Sequence, residues 1–198
     1  MQCAATRSMD ISLEELAFVF RSGRLCLALC ATVGERWQRS FERLRTPADL
    51  ARWYVEAGVL EQAVPVSPSG LANARRLREA VYRIAKDLIA GRQPSAADEK
   101  IVNAAAAMPS PVPQMRRAAG WLLLPARGGN AAALSTVARD AVELFTTPLH
   151  QRIRECAAGD CGLLFLDMSP PGERRWCSST NCGTKARSAA YRRRRVAG

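Results

Sequence analysis

Two cysteine pairs of identical spacing, Cys156-x4-Cys161-Gly162 and Cys177-x4-Cys182-Gly183, stand fifteen residues apart near the end of this 198-residue chain. No other feature limits the fold as tightly. Zinc prefers four tetrahedral ligands, with thiolate sulfur at about 2.3 Å. Two cysteines on one tight turn supply half of that set without strain. A glycine directly after the second cysteine of each pair lets the backbone turn through positive φ and aims amide N–H groups at the sulfurs, the outer support such sites need. The expectation is one structural zinc ion held by Cys156, Cys161, Cys177 and Cys182.

The competing readings are weaker. No apolar run approaches the roughly 18 residues that cross a bilayer, and Met1–Asp10 has no apolar stretch of signal-peptide length. The expected location is therefore cytoplasmic, where closely paired cysteines point to metal before disulfides. The spacing is not the C-x-x-C of redox pairs. Four sulfurs leave no open position for a catalytic water. Unmetallated thiols packed in a core are the remaining alternative. His150, the only histidine, reads as an ordinary helix residue six positions before Cys156. Cys26 and Cys30 lie four apart on an apolar stretch and read as core packing. Cys3 belongs to a frayed terminus.

The net charge of +11 is uneven. Residues 151–198 hold ten Lys/Arg against four Asp/Glu, and residues 172–198 hold eight against one. Such a concentration suits a polyanion, with a solvated basic tail as the bland alternative. Four thiolates around Zn²⁺ leave a formal charge of −2. Arg174, Arg175, Lys185 and Arg187 flank the second pair and can offset it. Beyond the last cysteine, Thr184 to Arg195 has helical composition and carries Arg192, Arg193, Arg194 and Arg195 around Tyr191. Guanidinium groups suit phosphate and the guanine edge. The expected nucleic-acid contacts are Arg174, Arg175, Lys185, Arg187 and Arg192 to Arg195.

The preceding 150 residues read as mainly helical. Residues 10–20 are ambiguous: Ser12 to Glu15 resembles a capping box, while Ala17–Phe20 reads equally well as a strand. Leu25–Val33 is an apolar run expected to form a buried helix ending at Gly34. Thr46-Pro47 and Ser67-Pro68 each place a capping hydroxyl before proline at the first helical position. The second of these helices carries Leu71, Ala74, Leu77, Val81, Ile84, Ala85 and Leu88 at helical period. Ser95–Ala107 is a short Ala-rich helix. After the break Pro109-Ser-Pro-Val-Pro113, Met115 and Trp121–Leu124 around Ala118-Ala-Gly120 suggest a β-hairpin. Asn130 is expected to cap a long helix running toward the cysteines. Between the pairs, Leu163–Leu166 is strand-like, Ser169-Pro-Pro-Gly172 is a turn, and Arg175-Trp-Cys177 returns. The fold class is mainly α with a small antiparallel hairpin (α+β), followed by a treble-clef-like zinc finger. The boundary falls near 148–155, giving domains 1–150 and 151–198. A module as small as the second is not stable alone; metal binding at comparable sites contributes on the order of 10–16 kcal/mol.

The stretch Cys156…Cys161-Gly162…Phe165-Leu-Asp167-Met-Ser169…Arg174-Arg-Trp-Cys177…Cys182-Gly183-Thr184-Lys185 resembles the CGNR zinc-finger family, whose pattern is two cysteine pairs, Phe-x-Asp-x-Ser, Arg-Arg-Trp-Cys and Cys-Gly-Asn-Arg opening a basic helix. Here the tetrapeptide reads Cys182-Gly183-Thr184-Lys185. The front part is similar to the ABATE domain at Ser22–Leu27, Thr32-Val-Gly34, Thr46–Leu50, Trp53 and Ala57-Gly58. Ala28 and Ala31 stand where many members carry Asp and Asn. The resemblance implies a bacterial transcription regulator.

Taken together, the expected function is DNA binding by a transcription regulator, with the front domain sensing a small-molecule effector or forming a homodimer. The alternative is an RNA-binding or protein-interaction module whose zinc is structural. An enzyme is not expected, and no catalytic residue is assigned: there is no Gly-rich phosphate loop, histidine pair or Ser/His/Asp set. Glu14, Glu15, Glu35 and Asp49 read as surface or capping groups.

Overall fold

A computed structural model describes residues 11–117 and 121–196; Cys3 and the hairpin turn at 118–120 lie outside the described residues. Six helices follow in order: α1 (Leu25–Cys30), α2 (Pro47–Glu56), α3 (Pro68–Ile89), α4 (Ala96–Ala106), α5 (Asn130–Thr146) and α6 (Thr184–Val196). Three two-stranded antiparallel ladders pair β1 (Val33–Gly34) with β2 (Phe41–Glu42), β3 (Val112–Arg117) with β4 (Trp121–Arg127), and β5 (Ile153–Glu155) with β6 (Leu164–Leu166). The mainly helical α+β expectation holds.

The two hydroxyl–proline starts behave as their chemistry requires. Thr46 and Asp49 form a reciprocal capping box at α2, and the Ser67 hydroxyl accepts from the Gly70 amide at 3.0 Å at α3. Asp49 is thus a capping group. Gly58 and Gly91, at φ +70° and +65°, follow the two helix ends. In the ambiguous segment the Ser12–Glu15 capping box does form, with Glu15 N donating to Ser12 Oγ at 3.2 Å. Only one turn follows it, and Ala17–Phe20 joins no ladder. The apolar run after Arg24 is helical only to Cys30, because Val33-Gly34 leaves to pair with Phe41-Glu42. Proline has no amide to donate, and the β3–β4 register is irregular between Val112 and Gln114, at Pro113.

The main core is α3 packed against α1, α2, α4 and α5, with Trp53, Tyr54, Leu27, Leu29, Leu77 and Leu144 fully buried. Cys26 and Cys30 are part of it, and the Cys30 thiol donates to the Arg78 carbonyl at 3.6 Å. No local side chain caps α1. The Asp140 carboxylate, from α5, accepts instead from Cys26 N at 2.8 Å and pairs with Arg24 at 2.9 Å. The expected Asn130 cap is corrected. Gly129 holds the cap position of α5 without a side-chain bond, and Asn130 Oδ1 accepts from the buried Tyr54 hydroxyl at 2.7 Å. A buried phenol needs a partner, and that need claims the amide.

One buried charge network sets the loop facing the cysteines. Arg78, on α3, donates to both Glu42 oxygens at 2.8 and 2.7 Å and to Thr32 Oγ1 at 3.0 Å. Burial works against its charge, but the bonds it donates to Glu42 outweigh that and hold the guanidinium firmly protonated. The network fastens β2 to α3, so the intervening Glu35–Ser40 turn is held at both ends. Glu35 and Glu15 both pair with Arg39 there.

The second core gathers Ala31, Leu163 and Phe165 around Cys156, Cys177 and Cys182. It is not separate from the first. Ile153, Leu164 and Leu166 of the β5–β6 ladder belong to the main core, and Leu166 N donates to the Ser22 carbonyl at 2.8 Å.

Candidate metal centre and contact helix

The first knuckle hangs from the β5–β6 ladder. Its register pairs Ile153 with Leu166 and Glu155 with Leu164, and Cys156 N donates to the Leu163 carbonyl at 2.9 Å. Cys161 N closes the turn on the Ala158 carbonyl at 3.0 Å, and Gly162 follows at φ +61°. The hairpin therefore forms across the first knuckle. The returning Arg175–Cys177 segment is not a strand; it contributes one bond, from Ala157 N to the Arg175 carbonyl at 2.8 Å. The second knuckle is a π-helical turn, Ser179–Gly183, which runs directly into α6. Gly183 has no positive φ, so the expectation of two equivalent glycines holds only for Gly162.

The four sulfurs lie within 4.8 Å of one another. Cys161 to Cys177 is 3.8 Å and Cys177 to Cys182 is 3.7 Å. A tetrahedron with bonds of about 2.3 Å has edges of about 3.8 Å, so these separations fit one zinc ion. The thiols' own chemistry fits as well. Hydrogen bonds from Cys161 and Cys177 hold the Cys156 thiol far below its ordinary range, while that same bond to Cys156 pushes Cys161 up to about 12, and Cys177 is pushed up further. A divalent ion favours the thiolate form of all its sulfur ligands, so binding it releases the remaining thiol protons. His150 takes no part: its Nδ1 lies 2.7 Å from the Thr147 carbonyl, within the 3₁₀ turn Pro148–Arg152.

The Phe-x-Asp-x-Ser pattern has a structural role. Phe165 is fully buried under the knuckles, and Asp167 is fully buried beside it. The Asp167 carboxylate accepts from Ser169 N at 3.0 Å and Arg174 N at 2.8 Å, tying down the turn between the pairs. Burial alone would raise its pKa; the backbone bonds from Arg174 and Ser169 outweigh that and leave it below the ordinary carboxylate value.

Three of the eight basic candidates are engaged within the finger. Arg174 donates to the Cys177 carbonyl at 2.9 Å, Arg187 donates to Thr184 Oγ1 at 3.0 Å and the Ser179 carbonyl at 3.3 Å, and Lys185 pairs with Asp160 at 3.2 Å. These three brace the finger, the last linking the start of α6 to the first knuckle. Arg192, Arg193 and Arg195 are exposed and make no hydrogen bond or ion pair among the described residues. Arg195 lies over the exposed Tyr191 ring at 5.9 Å, and Arg175 over Trp176 at 5.2 Å. The Arg194 side chain lies outside the described residues. A groove of about 820 Å³ runs between α6 and the first knuckle, with Arg175, Trp176, Lys185, Arg192 and Arg193 on its walls.

Sequence reasoning missed the front-domain side of the site. Trp37 Nε1 donates to Glu155 Oε1 at 2.9 Å, Lys86 pairs with Glu155 and lies 4.9 Å over the Trp37 ring, and Gln38 Nε2 donates to the Gly159 carbonyl at 3.0 Å. A cavity of about 370 Å³ between the two parts is lined by Phe41, Arg43 and Tyr82 on one side and Cys161, Cys182 and Lys185 on the other. The only available signal was an aromatic residue in a polar loop, which local patterning does not interpret. No helix among the described residues is long and apolar enough to cross a membrane.

Comparison with known families agrees with this arrangement. Residues 23–148 match the ABATE family model, described as "Putative stress-induced transcription regulator". Residues 152–195 match the CGNR zinc finger. These descriptions are of a regulator and a zinc finger, neither of an enzyme. No curated protein matched the chain.

Proposed function

The chain belongs to the ABATE family, and from that premise we propose that it is a DNA-binding transcription regulator and not an enzyme, acting in the cytoplasm. Residues 151–198 carry the contact surface, and residues 1–150 sense an effector or dimerise. The observation that carries this reading is the placement of α6. It begins two residues after the ligand Cys182 and presents Arg192, Arg193 and Arg195 to solvent with no ion pair among the described residues. A metal-anchored helix holds its cations as a rigid set, which reduces the ordering cost of meeting phosphates. The groove beside α6 adds Arg175 and an aromatic face at Trp176. The cavity of about 370 Å³ between the two parts is of the size of small-ligand sites and supports the effector role.

The test is a titration with duplex DNA at several salt concentrations. Arg175 and Arg192 to Arg195 supply four to five phosphate contacts, so log Kobs falls against log salt with a slope of about −3.6 to −4.5. Affinity that is flat with salt, or absent at low salt, contradicts the proposal. Structured RNA or an acidic protein outcompeting duplex DNA would select the alternative reading of an RNA-binding or protein-interaction module.

A further inference from the structure

We infer that the metal centre is completed by the front domain: Arg43 supplies the part-buried positive charge that a four-thiolate zinc site requires, and Trp37 with Gln38 forms the outer wall of the first knuckle. A zinc ion with four thiolates carries a formal charge of −2, and a charge removed from water must be answered nearby. The cations expected from sequence to do this are engaged elsewhere or exposed. Lys185 is paired with Asp160, Arg187 serves the π-turn, Arg174 is exposed on the Cys177 carbonyl, and Arg175 is exposed over the Trp176 ring. Arg43 is the converse case, a part-buried cation without an anion. It donates to two backbone carbonyls, Glu15 at 2.8 Å and Ala31 at 3.0 Å, and makes no ion pair among the described residues. The nearby carboxylates are committed: Glu15 and Glu35 to Arg39, Glu42 to Arg78. Arg43 lines the same cavity as Cys161, the one ligand that is not buried, and Cys182. Arg43, stacked over the Phe41 ring at 4.7 Å, and the two ligands therefore border one cavity between the two parts of the chain, which Glu15, Glu35 and Lys185 also line.

The wall is equally specific. A Cβ on Gly162 would lie 2.8 Å from Trp37 Cδ1 and Nε1, so the indole rests directly on the glycine that follows Cys161. Gln38 grips the knuckle backbone at Gly159. Trp37, Gln38 and Arg43 all lie outside 152–195, the span of the zinc-finger match. Zinc retention is therefore a property of the whole chain, and the Glu35–Arg43 segment is where the front domain acts on the metal and on α6.

The inference rests on zinc occupying the four thiols, so wild-type metal content is measured first. A full-length chain without stoichiometric zinc defeats that premise alone. Given one zinc per chain, release to a colorimetric chelator is timed for wild type, Arg43→Gln, Arg43→Lys, Trp37→Ala and the double variant Arg192→Ala/Arg193→Ala. Helical content by circular dichroism serves as the folding check. The expected result is release at least tenfold faster in R43Q and threefold or more in W37A, with R43K and the α6 double variant near wild type. Because Trp37 is 58% exposed, W37A removes no core side chain and keeps the test open should R43Q not fold. Wild-type release in W37A overturns the wall. Wild-type release in a folded R43Q, or equal acceleration in R43K, overturns the charge role.

Discussion

The two knuckles share one sequence pattern and have different structures. In the first, Cys156 leaves a β-ladder, Gly162 turns through φ +61°, and the front domain covers the turn with Trp37 and Gln38. In the second, Cys182 lies in a π-turn, Gly183 keeps ordinary backbone angles, and the chain continues as α6. Equal spacing fixes the number of bonds between two donors. What each knuckle is joined to decides its backbone: the first is anchored to the protein, the second to its exposed helix. One half of the site is thus packed against the front domain, and the other carries α6.

The largest effect expected is loss of the metal itself. Cys177→Ser, or chelation of the wild type, removes stoichiometric zinc and the ordered finger, since binding at comparable sites contributes on the order of 10–16 kcal/mol. Metal analysis with proteolysis of the 151–198 region checks this. If both knuckles survive chelation, metal is not what joins them.

Glycine substitutions break the symmetry next. Gly162→Ala forces a non-glycine residue into the left-handed region and against the Trp37 ring, at a cost of about 1–3 kcal/mol. At Gly183 a new Cβ meets only ordinary contacts, the nearest at 3.5 Å, and Ala is favoured near a helix start; the change expected is under about 1 kcal/mol. Chemical denaturation of the two zinc-loaded variants decides it, and equal losses would mean that the knuckles are equivalent after all.

The turn between them carries a smaller effect. Asp167→Asn weakens the bonds to Ser169 N and Arg174 N inside a buried site, costing about 1–3 kcal/mol. The folded pKa of Asp167 is depressed, so its contribution is fully present above the ordinary aspartate value of about 4 and is lost as pH falls through that value toward the folded one. Stability of wild type and D167N should therefore converge at acid pH and diverge above pH 4; parallel curves would contradict this. Smallest of all, R192A/R193A should leave thermal stability within about 0.5 kcal/mol while reducing the salt slope of DNA binding by about 0.9 for each lost contact.

Legibility followed the range of the interaction. The ligand set, the Thr46-Pro47 and Ser67-Pro68 helix starts and the period of α3 are local, since each needs only residues a few positions apart, and the structure has them where the pattern places them. What the pattern did not contain is long-range. Ile153 and Leu164 lie on either side of the first pair yet pack into the front core. Asn130 has cap chemistry, but a hydroxyl 76 positions away takes it. Arg174, Lys185 and Arg187 look like free cations in sequence and are structural in space. Trp37 carries no signal until Gly162 is seen beneath it.

Zinc-edge X-ray absorption on the purified full-length chain tests the foundation of all this most directly. One zinc per chain with four sulfur neighbours at about 2.3 Å is the predicted result. No stoichiometric zinc, or a shell in which nitrogen or oxygen replaces a sulfur, would contradict it.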